Sequence, residues 1–151
     1  MKAQDKLKLG LRGAVTITQR HVESGEKKIV QSNLIVDGAY EQLPRLLSGD
    51  LVNNEITKLA FGSDDTAPTV NDTTITHLIP AVWLSVVPSY PSIYAVKFSA
   101  TWPAAVNNIQ TIQELGLFCA DNTMVARTVF QEMKKSAGWE WVIEWTLIYA
   151  V

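Results

Sequence analysis

Residues 139–151 alternate with a strict period of two: Trp139, Trp141, Ile143, Trp145, Leu147, Tyr149 and Val151 share one parity. Glu140, Glu144 and Thr146 take the other, joined by Val142, Ile148 and Ala150. Successive side chains of a β-strand point to opposite faces, so this pattern predicts a long closing strand with one heavily buried face. Three indole rings on that face need a large apolar surface to cover them, roughly 150–250 Å² for each ring. The segment ends without a charged residue, so it is expected to present an edge that pairs with another chain, its end packed.

The remainder of the chain continues in the same idiom. Leu11, Val15 and Ile17 alternate with Arg12, Ala14, Thr16 and Thr18, and Ser24-Gly25 interrupts them before a second run, Lys28 to Val36. That spacing predicts an antiparallel hairpin whose charged tip, His21 through Lys28, stands in solvent. Further strands are expected at 56–61, 82–87, 92–102, 112–120 and 124–130. Tyr94, Val96, Phe98, Ala100 and Trp102 share one face of the run 92–102. Pro88 to Pro91 is too stiff to continue either neighbouring strand. Asn107-Asn108 marks a loop, and Asp121-Asn122-Thr123 marks the turn of another hairpin.

Asp37 to Ser48 is the helical candidate. Asp37 is placed to cap it, Tyr40, Leu43 and Leu47 recur at helical spacing with Leu46 beside them, and Gly49 can end it. Pro44 falls inside and is expected to kink or split it. About eight strands, one short helix and no βαβ alternation predict an all-β fold. The expected form is an antiparallel β-sandwich, jelly-roll-like, with one short helix, as one domain over 1–151. Its core is predicted to hold Trp102, Phe118, Trp141, Trp145 and Leu147. Cys119, the sole cysteine, lies in the apolar run Leu115 to Ala120 and reads as a small core residue with no disulfide.

Charge narrows the function. Hydrophobic residues make up 47% and charged residues 19%, a charge-poor composition that suits a protein hiding part of its surface against partners. The net charge of −2 argues against nucleic-acid binding, which needs a basic surface. No run approaches the ~18 apolar residues of a membrane span, and Met1 to Lys8 holds no apolar stretch of secretory length. Residues 1–30 hold seven Lys/Arg against three acids, whereas residues 31–80 hold two against seven. Neighbouring copies could use that asymmetry to associate, so a homo-oligomer is expected.

Candidate chemistry is sparse. His21 and His77 are the only histidines, and neither sits in a nucleophile or metal-ligand motif. Asp64, Asp65 and Asp72 cluster around one loop, but their spacing is not that of a calcium loop. Glu114 and Glu144 lie on apolar strands, too weak a pattern for a glycosidase pair. Glu114 is better matched with Arg127 in the next strand. A hairpin turning about Asn122 would oppose 114 to 130 and 117 to 127, leaving the two charges close but not directly facing. The tryptophans could stack on sugars, with Trp139, beside Gly138, the one best placed to reach a surface. No catalytic residue, metal or cofactor is expected.

Several stretches also carry a resemblance. Asn54-Glu-Ile-Thr-Lys-Leu-Ala-Phe-Gly62 leads into Ala67-Pro68-Thr69 and Asn71-Asp72-Thr73. Ile112-Gln-Glu-Leu-Gly-Leu-Phe118 precedes Asp121-Asn-Thr-Met-Val-Ala-Arg-Thr-Val-Phe130, then Lys134-Lys135 and the Trp-rich strand. Over residues 30–151 this resembles small tailed-phage virion proteins related to the N-terminal, particle-attaching part of tail-collar fibre proteins. The resemblance implies a virion structural protein, assembled in the host cytoplasm and partnered by other virion proteins, with no nucleic acid or membrane bound. The sequence stops at Val151 without a shaft, which favours a tail, baseplate or fibre-attachment piece. A capsid-decorating cement protein of the same sandwich type and a carbohydrate-binding module are the alternatives.

Overall fold

The computed structural model describes residues 10–21, 23, 25–105 and 108–150. The basic segment Met1 to Lys8, Ser24, the loop signal at Asn107 and the final Val151 lie outside the described residues. The described residues form nine strands and one helix. In chain order these are β1 (Gly10–His21), β2 (Gly25–Ile35), α1 (Asp37–Leu47), β3 (Ile56–Gly62), β4 (Leu78–Ser85) and β5 (Val87–Ser92). Then follow β6 (Ala95–Trp102), β7 (Asn108–Cys119), β8 (Met124–Lys135) and β9 (Trp139–Ala150).

The strands hydrogen-bond in the order β4-β3-β7-β8-β2-β1-β9-β6-β5, and the described pairings are antiparallel. Strand β2 belongs to both halves of this order. It pairs with β1 from Gly25 to Asn33, then with β8 at Leu34 and Ile35. The two halves fold over one another about β2 in a sandwich-like arrangement. Phe61 of one half stacks on Trp102 of the other at 4.6 Å and meets the edge of Trp141 at 6.0 Å.

The alternating strands explain that core. Val15, Trp145 and Phe98 lie side by side across β1, β9 and β6, and Ile17, Ile143 and Ala100 form the next rung. Every one of these side chains is buried, as are Trp102, Phe118, Trp141 and Leu147. The opposite face of the same strands is polar, where Lys97 and Glu144 pair. Strand β9 lies between β1 and β6, so it is a central strand and not the unpaired edge its apolar sequence suggested. The edges are β4 and β5.

Strand β5 occupies the stretch whose prolines were expected to break it. Pro88 and Pro91 are accommodated because β5 pairs on one side only, with β6, and the missing amides cost no ladder bond on the open side.

Helix α1 runs uninterrupted through Pro44, and Asp37 does not cap it: Val36 holds the capping position, with no side-chain cap bond. Its buried residues are Ala39 and Gln42, while Tyr40 and Leu47 are exposed. Gly38 sets this orientation, because a Cβ there would stand 2.3 Å from the Met124 carbonyl oxygen. The helix start therefore lies flat against β8, held also by the Val36 amide on the Val125 oxygen at 3.2 Å.

Candidate interaction groove

Two places gather functional types of side chain: a buried charge cluster on the outside of β7 and β8, and an apolar groove at one end of the molecule.

The cluster is built on the pair read from the sequence. Arg127 Nε donates to Glu114 Oε2 at 2.9 Å, and the pair is almost wholly excluded from solvent. The register differs from expectation by one residue: Glu114 faces Val129 and Gly116 faces Arg127, because the pairing shifts between Leu117 and Phe118 near the turn. The loop between β3 and β4 closes over both charges. The Asp64 amide donates to Glu114 Oε1 at 3.1 Å, and Arg127 also donates to the Thr66 carbonyl at 2.9 Å and to Asp72 at 3.1 Å.

Desolvation works to raise the Asp72 pKa, but the Thr69 amide and hydroxyl and the Arg127 guanidinium outweigh it and leave it lowered. The hydroxyl and amide of Thr66 lower that of Asp64. Both carboxylates are thus committed to holding the loop. Beneath it Val36, Ala60, Ile75, Phe118 and Met124 form a second small core. Gly116 permits that core, since a Cβ there would collide with the Phe118 ring. A salt bridge satisfied by the loop itself offers no open coordination position or reacting group. Among the described residues no three His, Cys, Asp or Glu side chains gather as metal ligands would.

The other sequence candidates are dispersed. His77 is exposed, 4.0 Å from Asp64. His21 packs against Trp139 with ring centroids 5.0 Å apart, so the hairpin tip is not wholly solvated and Trp139 is not a free platform. Asp65 is exposed, and Glu144 pairs with Lys97 on the polar face. Trp83 is the most exposed tryptophan, at 39%, its ring held edge-on to Phe118 and under the Lys58 ammonium.

The groove lies between α1 and the β5–β6 hairpin. Leu43 and Leu46 form the helix wall, Pro88, Tyr90 and Ile93 the hairpin wall, and Ile56, Val96 and Phe98 the floor, with Glu55 and Tyr149 also in its lining. Its volume is about 810 Å³. Leu43, Leu46, Ile56 and Tyr149 also line an adjoining recess that ends on Leu11, Cys119, Val125 and Leu147. Helical spacing puts Leu43 and Leu46 on one side of α1. Gln42, one turn before Leu46, lines the same recess; it accepts from Asn54 Nδ2 at 2.8 Å, while Asn54 Oδ1 accepts from the Asp121 amide at 2.9 Å. That buried chain of amides, which sequence periodicity does not register, fixes the helix wall in place.

The hairpin wall protrudes. Tyr90 is 77% exposed, Ile93 88% and Tyr94 60%, all at or near the Ile93-Tyr94 turn that joins β5 to β6. Two hydrogen bonds pin the turn: Ser92 Oγ accepts from the Tyr94 amide at 3.1 Å, and the Tyr149 amide donates to the Tyr94 carbonyl at 2.8 Å. Soluble monomers rarely hold so many large apolar groups in one exposed patch beside an apolar cleft, and such patches mark interaction sites.

No protein-family model, curated protein or solved structure matches this chain.

Proposed function

We propose that this chain is a non-enzymatic structural protein of a tailed-phage virion, a tail, baseplate or fibre-attachment component that assembles through protein–protein contacts. The observation that carries this reading is the apolar groove with its protruding Tyr90 and Ile93 wall. Those side chains are costly to leave in water, and the pinned hairpin holds them there.

The motif that resembles the fibre-attachment proteins accords with a framework role. Leu115 and Leu117 enter the core, Glu114 anchors the loop through Arg127, and Gly116 clears space for Phe118. The proposal includes a jelly-roll-like winding: the chain passes between the two layers at Val86, between Trp102 and Asn108, and between Lys135 and Trp139. Such winding puts the loops, the helix and hairpin tips at the ends of the sandwich, available to neighbours.

Quantitative mass spectrometry of purified particles of the encoding phage, with sedimentation of the purified chain alone and with virions, tests the reading. The expected result is a fixed copy number per particle and co-sedimentation. A copy number matching the capsid lattice would move the protein to the capsid-decorating class. Absence from particles, together with glycan affinity lost on replacing Tyr90 or Trp83, would replace the proposal by a carbohydrate-binding module.

A further inference from the structure

We infer that the groove receives residues 1–9 of a second copy of this chain, so that copies are joined by exchanged segments. The inference rests on the virion-subunit reading and names how one of its contacts is made.

Place is the first ground. Strand β1 pairs with β9 as far as Gly10 opposite Ala150, and Leu11 lines the inner recess. The Tyr94 carbonyl, at the hairpin turn, accepts from Tyr149 beside it. Gly10 therefore lies at the same end of the sheet as the groove.

Pattern is the second. Leu7 and Leu9 have the parity of Leu11, Val15 and Ile17, the core-facing side of β1, whereas Lys6 and Lys8 have the other. In the extended form that a strand-lined cleft accepts, this alternation offers one leucine face and one lysine face. Nine residues reach at most about 30 Å when extended, ample for a neighbour's cleft.

Charge is the third. Residues 1–9 hold Lys2, Lys6 and Lys8 against Asp5, a balance of +2 within a chain of net charge −2, so the remainder is −4. Glu55 stands in the groove lining, and the described residues lining it bring no cation. An apolar cleft with an acid at its rim suits a strand with leucines on one face and lysines on the other.

The test compares the full chain with a variant lacking residues 2–9 and with the full-length double variant Leu7→Glu/Leu9→Glu. Analytical ultracentrifugation reads association, and circular dichroism melts report whether each variant stays folded. The full chain is expected to associate reversibly, and both variants to associate roughly tenfold or more weakly with unchanged melts. A peptide of residues 1–10 should bind the shortened variant, and Leu46→Asp in the groove should abolish that binding. Raising salt should weaken both associations, because Lys–Glu attraction across the rim is screened. Undiminished association of the shortened variant would overturn the inference, as would failure of the peptide to bind. A monomeric full chain whose groove is already closed to the peptide would also overturn it, by showing that the segment binds its own molecule. Co-sedimentation of the shortened variant with virions separates the two ideas, since the subunit reading can survive when the exchanged segment does not.

Discussion

Arg127 and Glu114 meet diagonally across β7 and β8: their backbones oppose Gly116 and Val129, yet the guanidinium and carboxylate are 2.9 Å apart. Gly62, opposite Glu114 on β3, leaves room for the carboxylate, since a Cβ there would stand 2.3 Å from Glu114 Oε1. One cation thereby serves two tasks, neutralising a carboxylate that is 0% exposed and tying down the Thr66 carbonyl and Asp72 of the covering loop.

Breaking this pair from one side should be severe. Glu114→Gln leaves a buried guanidinium short of its main counter-charge, and Arg127→Met leaves a buried carboxylate; each should cost about 3–5 kcal/mol. The double variant Glu114→Gln/Arg127→Met should cost clearly less than the two singles together, because neither member of the buried pair then carries a charge. Urea titrations of the four proteins measure it, and strict additivity would remove the pair from any account of the fold.

The tryptophans should divide by layer. Trp141 meets the stacked Phe61 and Trp102 rings edge-on, at 6.0 and 5.5 Å, and Trp141→Ala should destabilise by about 3–5 kcal/mol. Trp83→Ala removes one edge-on ring contact and one lysine–ring contact at the surface, together about 1–2 kcal/mol. Denaturant midpoints in the reverse order would mean that the sandwich interior had been misassigned.

What the sequence made legible follows from one-sidedness. Strands β6 and β9 each bury one face and wet the other, so period two alone located Phe98, Trp102, Trp141 and Trp145. Strand β5 was hidden because an edge strand tolerates the prolines that a central strand forbids. The helix face was misread because Tyr40 and Leu47 look apolar but stand in solvent, while Gln42 is buried through a bond to Asn54 that lies 12 residues away. The groove escaped notice for a related reason. It is made by residues of α1, β3, β5, β6 and β9 that lie far apart in the sequence, and only topology brings them to one end. The Glu114–Arg127 pair was legible as chemistry, but its register was set by the irregularity beside Phe118, which hairpin counting cannot see.

Asn54 should matter more than a polar loop residue ordinarily does. Asn54→Ala strands the Gln42 carbonyl oxygen and the Asp121 amide, a loss of about 1–3 kcal/mol for buried groups left unsatisfied. The loss should be local as well as global. Hydrogen exchange in α1 should quicken more than exchange in β9, because the helix loses its link to the β7–β8 turn while the sandwich core keeps its packing. Uniform quickening across both elements would mean that the helix is held by packing alone.

Cys119 offers a reporter on the floor of the recess behind the groove. Its thiol is 1% exposed, and burial, reinforced by the charges of Asp121 and Glu55, pushes its pKa up to about 11. In the unfolded chain the thiol ionises near 9, so between about 9 and 11 the unfolded state has lost a proton that the folded state retains. Stability should therefore fall as pH rises through that window, and a Cys119→Ala variant should show a shallower decline than the parent across it. Only the thiolate reacts with disulfide reagents, so labelling at pH 8 should be far slower than for a free thiol and should accelerate in step with unfolding in urea. Immediate labelling in native buffer would show that the recess opens without unfolding. If the recess does open locally, whatever fills the groove should slow the reaction, and labelling with and without the residue 1–10 peptide then measures occupancy directly.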